Sequence, residues 1–224
     1  MRRPGVRSHA SPHHGDLATK KTHGLERMIF FSDAVIAIML TLLALELPVP
    51  EVHDPLDLGK AFAAHGSVYI AFLISFCVIA ATWTAHHMLF THVSQADPAL
   101  ITLNLLCLFG YVLIPWASKT LGEVPNGAGV VVYSAAMAFL GSTMLLVVRH
   151  VTRAGLLDPA APRQEIKGIQ AWSGMTTVMF ALSIPAGFVV GRWIIMTAWP
   201  VGYLSLRLVA EYYARKNRKL ERLP

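Results

Sequence analysis

Charged side chains are scarce in this sequence. Asp, Glu, Lys and Arg make up 14% of its 224 residues, whereas hydrophobic residues make up 54%. Soluble domains carry about a quarter charged residues. Several apolar runs continue for about twenty residues, the length with which an α-helix crosses the hydrocarbon of a bilayer. The composition therefore excludes an ordinary soluble domain and predicts an all-α integral membrane protein whose main partner is the lipid bilayer.

Cysteine is also scarce. The only two, Cys77 and Cys107, lie inside apolar runs. Two isolated thiols exclude a disulfide framework, and their surroundings lack the ligand spacing of a metal site. We expect two buried free thiols and neither a bound metal nor a cofactor.

An apolar run is missing from the first 23 residues, which are polar and basic. This pattern disfavours a signal peptide, and we expect a disordered cytosolic tail over residues 1–23. A six-helix transmembrane domain is expected over residues 24–213, and a second basic cytosolic tail over residues 214–224. The six predicted spans are 28–49, 64–90, 98–118, 128–149, 168–190 and 193–212.

The basic residues give an orientation. With six spans and both termini in the cytoplasm, all but three of the 19 lysines and arginines lie on the cytoplasmic side, as the positive-inside rule requires. The exceptions are Lys60, Lys119 and Arg192. This arrangement predicts a multi-pass protein of the cell membrane. It also accounts for the net charge of +6 without a nucleic-acid partner.

The first span carries two different faces. At about 100° per residue, Ile38, Leu42 and Leu45 fall within about 60° of one another, with Thr41 beside them. By spacing alone, this apolar stripe suits lipid contact or core packing. A second face, about 140° away, would let other helices approach through its small residues. Its members are Asp33, Ala37, Leu40 and Ala44.

Asp33 needs a polar partner, because an isolated ionised aspartate at the centre of a membrane helix costs about 2.5–3.5 kcal/mol on insertion scales. The predicted span ends and the rise of about 1.5 Å per residue place several polar side chains at its depth. We expect a structural cluster that joins the first three spans. A proton relay is a second interpretation of the same cluster. The members are Ser32, Asp33, Trp83, Asn104 and one of His86 and His87.

The segment from Arg27 through Phe31-Ser32-Asp33, followed by AVIAIMLTLLALEL, resembles the signature first helix of the transmembrane protein 175 family of potassium channels. Further similarities are Trp83-x-x-His86 in the second span and Asn104 with Pro115 in the third. The resemblance covers roughly residues 24–120 in motif, and the remainder in its six-span layout. Ala34 differs from the glycine of many relatives.

The resemblance implies a homotetramer of single six-helix units, in which the first helix of each subunit lines a central pore. Ile38 would form the narrowest ring, with Leu42 and Leu45 further out, and Thr41 would contribute to potassium preference. The residues of the motif would hold the helices together without touching ions; they are Arg27, Phe31, Ser32 and Asp33.

From these observations we expect a leak-type, potassium-permeable channel for monovalent cations, gated by the hydrophobic constriction of the first helix. Glu46 and Glu51, in an acidic outer loop, would concentrate cations at the outer mouth. Glu46 is equally compatible with an ordinary interfacial position.

Two other classes compete with a channel. A proton-coupled secondary transporter would show internal repeats and broken helices; no repeat is evident, but prolines at 115, 185 and 200 leave this alternative open. A membrane enzyme would need a catalytic cluster. Only Asp33 with His86 or His87 qualifies, without a nucleophile motif or metal-ligand spacing, so we expect no enzymatic activity.

Overall fold

The computed structural model describes residues 14–52 and 54–203, with side chains described from residue 23 onwards. This part of the chain is helical apart from its connecting segments, with a single 3-10 turn at Pro55–Asp57. A last helix, α7, occupies 192–203, up to the edge of the described residues. The preceding helices are α1 (His14–Leu45), α2 (Leu58–Ala64), α3 (Gly66–Thr91), α4 (Pro98–Glu123), α5 (Ala128–Arg153) and α6 (Arg163–Ala186).

Four of these helices are long and apolar enough to cross a membrane, among the residues that the structure describes. They are the His23–Leu45 part of α1, together with α3, α4 and α5, and they correspond to the first four predicted spans. The predicted fifth span overlaps α6, whose first turns carry Arg163, Glu165 and Lys167. The predicted sixth span, 193–212, lies partly outside the described residues. The predicted tail 214–224 lies entirely outside them.

The first helix begins earlier than the sequence suggested. α1 starts at His14, whereas the span was predicted from residue 28 and residues 1–23 as a disordered tail. Apart from Gly15, residues 14–23 contain no proline or glycine, and the backbone hydrogen bonds of a helix propagate readily once its core turns have formed. Residues 1–13 lie outside the described part of the chain.

Successive long helices pack side by side. α4 packs against α3 and α5, α5 packs against α6, and α1 lies across α3 and α4. Cys107 is fully buried between helices, as expected, but Cys77 is exposed. The prediction of a buried Cys77 was wrong because α6 and the described part of α7 do not close over this part of α3, where Leu73 is exposed as well.

The short connections at one end of the bundle are tied together. Asp97 caps α4 by accepting the Leu100 N–H at 2.7 Å, and its carboxylate also contacts His150 Nε2 at 2.9 Å. The Leu100 N–H and then His150 lower the pKa of Asp97. Beside this cap, Ser94 N donates to Leu156 O at 2.9 Å. The α3–α4 and α5–α6 connections therefore form one braced face.

Glycine allows a close contact between α5 and α6. A Cβ added to Gly141 of α5 would lie 2.8 Å from Thr177 Oγ1 and 3.0 Å from Thr177 N of α6. Backbone atoms cannot move aside as a flexible side chain does. Any larger residue at position 141 must therefore push α6 away from α5.

We predict that Gly141→Ala destabilises the protein by about 1–3 kcal/mol, the usual cost of overpacking a well-packed interior. Thermal unfolding in detergent measures the effect. Gly174→Ala is the matched control, because a Cβ there meets nothing closer than Leu145 Cδ2 at 4.0 Å. Equal melting temperatures for the two variants would show that the α5–α6 contact is not close.

Candidate functional site

The membrane-spanning part of α1 buries one face against its own chain and leaves the opposite face open. The buried face consists of Leu25, Ser32, Ile36, Met39 and Leu43. The stripe opposite is exposed, with Ile38 52%, Leu42 39% and Leu45 79% accessible. Within residues 14–52 and 54–203, these three side chains therefore do not belong to the core of the subunit.

The second face predicted for α1 is not the one that packs within the chain. Ala37 and Ala44 are exposed, and Asp33 and Leu40 are half-buried. The larger Ile36, Met39 and Leu43 fill the space against α3 and α4 instead, because they bury more apolar surface than alanine does. The face that packs within the chain is thus rotated by about 100° from the predicted face. This is the angle between successive residues of an α-helix.

Thr41 lies at the edge of the exposed stripe. Its hydroxyl donates to the Ile38 carbonyl oxygen, one turn earlier, at 2.7 Å. Because the proton is engaged with the helix, the oxygen lone pairs of Thr41 are left to accept hydrogen bonds or to contact a cation. The stripe therefore combines apolar side chains with one oxygen donor.

A buried chain of hydrogen bonds anchors α1. Asn104 of α4 donates through Nδ2 to Ser32 Oγ at 2.8 Å, and Ser32 in turn donates to the Met28 carbonyl at 2.8 Å. On its other side, Asn104 Oδ1 lies 3.0 Å from His86 Nε2 of α3. Residues from three helices thus form one network, which we call the polar anchor: Ser32, Asn104 and His86.

The polar anchor fixes the tautomer of His86. Asn104 Oδ1 is only an acceptor, so Nε2 of the neutral imidazole carries the proton. Nδ1 is buried and has no hydrogen-bond partner among the described residues, while the ring packs on Phe90 at 4.4 Å between centroids. A second proton on Nδ1 would have no acceptor, which suits a structural histidine better than a proton carrier.

Asp33 belongs to a separate contact. Its Oδ1 accepts the Trp83 Nε1 hydrogen at 2.9 Å, and His87 stacks on the Trp83 ring at 5.4 Å. Neither histidine meets Asp33 directly, contrary to the pairing expected from depth. Arg27 and Phe31 are exposed and stand outside both contacts among the described residues.

At the far end of the span, Glu46 forms an ion pair with Lys119 of α4 at 2.8 Å. Sequence reasoning did not find this pairing, although Lys119 is one of only three basic residues assigned to that side. The pair neutralises the Glu46 charge, so this residue is a poorer attractor of cations than expected. Glu51 is exposed.

We predict that Asn104→Leu destabilises the protein by about 1–3 kcal/mol, since it leaves the buried His86 Nε2 hydrogen without an acceptor. Thermal melting of the purified protein measures the loss. Thr102→Val is the control, because the exposed Thr102 hydroxyl bonds only to its own helix at Pro98 O. A variant at position 104 as stable as the control would mean that the polar anchor contributes nothing.

Comparisons with known proteins agree with this arrangement. The model of the family described as "Endosomal/lysosomal potassium channel TMEM175" matches residues 27–115. This segment begins within α1, contains the polar anchor and ends at Pro115 of α4. A potassium channel of Streptomyces collinus is 32% identical over 169 residues, covering 73% of this chain and 82% of that protein. A potassium channel of Chamaesiphon minutus is 32% identical over 168 residues, covering 83% of that protein.

Other relatives are longer or structurally known. A zebrafish protein named as an endosomal/lysosomal proton channel is 27% identical over 138 residues, and the chain spans only 26% of its length. The crystal structure of a lysosomal potassium-selective channel TMEM175 homolog from Chamaesiphon minutus superposes with a TM-score of 0.65 at 26% identity, covering 83% of this chain and 98% of that one. With its first-helix motif, its anchored α1 and relatives matched over most of their length, the chain belongs to the TMEM175 family.

Proposed function

We propose that this protein is a potassium-permeable, leak-type cation channel, assembled as a homotetramer in the cell membrane with both termini cytoplasmic. The names of the two bacterial relatives, which the chain matches over more than four-fifths of their length, support potassium as the permeant ion. In this arrangement α6 and α7 complete six spans.

The observation that carries the proposal is the exposed apolar stripe of Ile38, Leu42 and Leu45. It lies on α1 opposite the face that the polar anchor holds. The polar anchor holds the rotation of α1, so the stripe must face lipid, another subunit or water. Four copies arranged about an axis would bring the four stripes together around a central path. This geometry gives the exposed face a use that a solitary subunit lacks.

Ile38 forms the gate in this proposal. A narrow ring of branched aliphatic side chains conducts poorly because water leaves it, and opening requires the helices to move apart or rotate. The exposed Ile38 side chain is free to form such a ring, since none of the residues that the structure describes covers it fully. Leu42 and Leu45 would continue the apolar lining beyond it.

Thr41 supplies the selectivity. A hydroxyl whose proton is held by Ile38 O presents its oxygen to a cation that has shed part of its hydration shell. With one ring of hydroxyl oxygens and no carbonyl-lined filter in the described part of the chain, the preference for potassium over sodium should be modest. Glu51 adds negative charge at the outer mouth, whereas Glu46 is already paired with Lys119.

Proton movement is the second candidate, because the animal relatives are named as proton channels. A relay through the buried polar residues would be interrupted, since Asp33 is bonded to the Trp83 indole, which donates a hydrogen but does not accept one.

Potassium flux that saturates and depends on a proton gradient would favour the proton-coupled transporter over the channel.

We predict that Ile38→Asn increases potassium flux from liposomes and reduces the discrimination between potassium and sodium. Asparagine side chains around the pore axis would hold water at the position where isoleucine side chains exclude it. Fluorescent flux assays with each cation measure both effects. Ile101→Asn is the matched control: Ile101 is 44% exposed but lies on α4. Wild-type flux and selectivity in an assembled Ile38→Asn protein would remove Ile38 from the gate.

A second prediction separates the hydroxyl of Thr41 from its shape. Thr41→Val keeps the branched form and removes the oxygen, so the permeability ratio of potassium to sodium should fall. Thr41→Ser keeps the oxygen and should retain a ratio near that of the wild type. Reversal potentials under bi-ionic conditions give the ratio, and an unchanged value in the valine variant would exclude Thr41 as a cation ligand.

A further inference from the structure

Four basic side chains lie at one end of the seam along which α5 and α6 meet. These exposed residues are Arg149 and Arg153 of α5 and Arg163 and Lys167 of α6. None of the four forms an ion pair with a carboxylate in the part of the chain that the structure describes. This end of the helix pair therefore carries four positive charges that the described residues do not neutralise, and we call the four residues the basic seam.

The carboxylates of the neighbouring connections are engaged with other partners. Glu165 pairs with His92 Nε2 at 3.3 Å, and Asp97 pairs with His150 Nε2 at 2.9 Å. Asp158 accepts a backbone N–H of its own turn at 2.7 Å. Two histidines and a turn thus hold the acidic groups that could otherwise neutralise the basic seam, so its charges are left for a partner outside the described chain.

The four cations lie on one side of the helix pair. A Cβ added to Gly174 of α6 would lie 4.0 Å from Leu145 Cδ2 of α5, so these two positions mark where the helices meet on that side. The α5 cations follow Leu145 by four and eight residues, and the α6 cations precede Gly174 by seven and eleven. At about 100° per residue, each of these steps stays within about 80° of the starting direction. The basic residues therefore continue the seam towards the end of the bundle.

The cations of the two helices also lie at similar depth. α5 and α6 run antiparallel, with Gly141 facing Thr177. Counting along both helices from this contact, Arg153 lies level with Lys167 to within about 3 Å along the axis, and the other two cations lie within about 6 Å of that level. Like charges at such short spacing repel one another, so an anion is the ligand that this arrangement favours.

Away from the cations, the same seam continues into an apolar surface. Val178, one turn beyond Gly174 on α6, is 57% exposed, and Leu146, beside Leu145 on α5, is 47% exposed. α5 is long and apolar enough to cross the membrane, and Arg153 lies in its last turn, where hydrocarbon gives way to lipid headgroups. A phospholipid offers both parts of the matching partner, a phosphate for the cations and acyl chains for the apolar surface.

The other described helices leave this side of α6 uncovered. Tyr203 of α7 donates to Thr176 Oγ1 at 3.2 Å, and its ring packs on Trp172 at 4.8 Å between centroids. Both contact positions on α6 lie about 160° around the helix from Gly174. α1 packs on α3 and α4. The seam is therefore open to the bilayer in the described part of the chain.

We propose that the basic seam binds the phosphate group of an anionic phospholipid, whose acyl chains lie along Leu146 and Val178. The negative charge of the lipid offsets the repulsion among the four cations. A zwitterionic phospholipid carries the same phosphate together with a compensating ammonium group, so it binds more weakly. The site is separate from the exposed stripe of α1 and stands whether or not the protein conducts potassium.

A fluorophore on the seam tests the proposal. Val178→Cys is combined with Cys77→Ser and labelled with bimane, while Cys107 is buried and the Cys77→Ser protein gives the background. Position 178 lies about 16 Å from Lys167 along α6, near the middle of an acyl chain whose phosphate is at the basic seam. The assembled protein is reconstituted with phosphatidylglycerol or phosphatidylcholine brominated at mid-chain, which quenches bimane on contact. We expect phosphatidylglycerol to bind with at least tenfold higher relative affinity.

Charge variants in this labelled protein test the basic seam itself. Lys167→Gln should lower the relative affinity for phosphatidylglycerol about fivefold, the usual effect of one basic residue near an anionic membrane surface. Lys167→Arg keeps the charge and should retain the affinity, whereas Lys167→Gln combined with Arg153→Gln should leave little preference. Lys60→Gln is the matched control, because it changes the net charge equally but lies on α2, where the exposed Lys60 pairs with Asp57.

Three results would overturn the proposal. The first is equal quenching by the two lipids in the labelled protein. The second is an unchanged preference in the double glutamine variant, or a loss in Lys60→Gln as large as in Lys167→Gln, because the lipid would then respond to net charge and not to the seam. The third is displacement of phosphatidylglycerol by inorganic phosphate at constant ionic strength, which would assign the seam to a soluble phosphate. Potassium flux enters none of these measurements, so their failure leaves the proposed channel untouched.

Discussion

The rotation of one helix decides what the rest of the structure can do, and three buried polar residues hold that rotation. Asn104 bridges Ser32 of α1 and His86 of α3, so the first three spans share one hydrogen-bond network. In a low-dielectric interior such a network is costly to break, because each freed group would remain unpaired. α1 can therefore present only one face away from its own subunit.

That constraint links the fold to the proposed activity. The face behind the polar anchor packs with Ile36, Met39 and Leu43 against the chain, and the opposite face leaves Ile38, Leu42 and Leu45 uncovered. The close α5–α6 contact at Gly141 and the braced connections around Asp97 stiffen the bundle behind it. A pore built from four equivalent helices would need each α1 to be held rigidly by its own subunit while its Ile38 face stays exposed.

The sequence predicted the depth of the polar residues but not their pairings. Span ends and the helical rise are enough to place Ser32, Trp83, His86 and Asn104 at one level. The rotation of each helix about its axis depends on its packing partners. In α1 the larger side chains pack within the chain, on a face rotated by about 100° from the face with the small residues. The Asp33–Trp83 and Glu46–Lys119 pairs depend on the same rotation. The exposure of Cys77 depends on how far α6 lies from α3, which hydropathy does not report.

In the proposed channel, the Ile38 side chains of the four subunits surround an aqueous path for cations. The most direct measurement is block of potassium flux by Cd²⁺ in an Ile38→Cys protein that also carries Cys77→Ser, with the Cys77→Ser protein as reference. If Ile38 lines this path, Cd²⁺ abolishes flux in the first protein and not in the second. Undiminished flux, with the new thiol reacting only with reagents dissolved in the bilayer, would place Ile38 against lipid and exclude it from the pore.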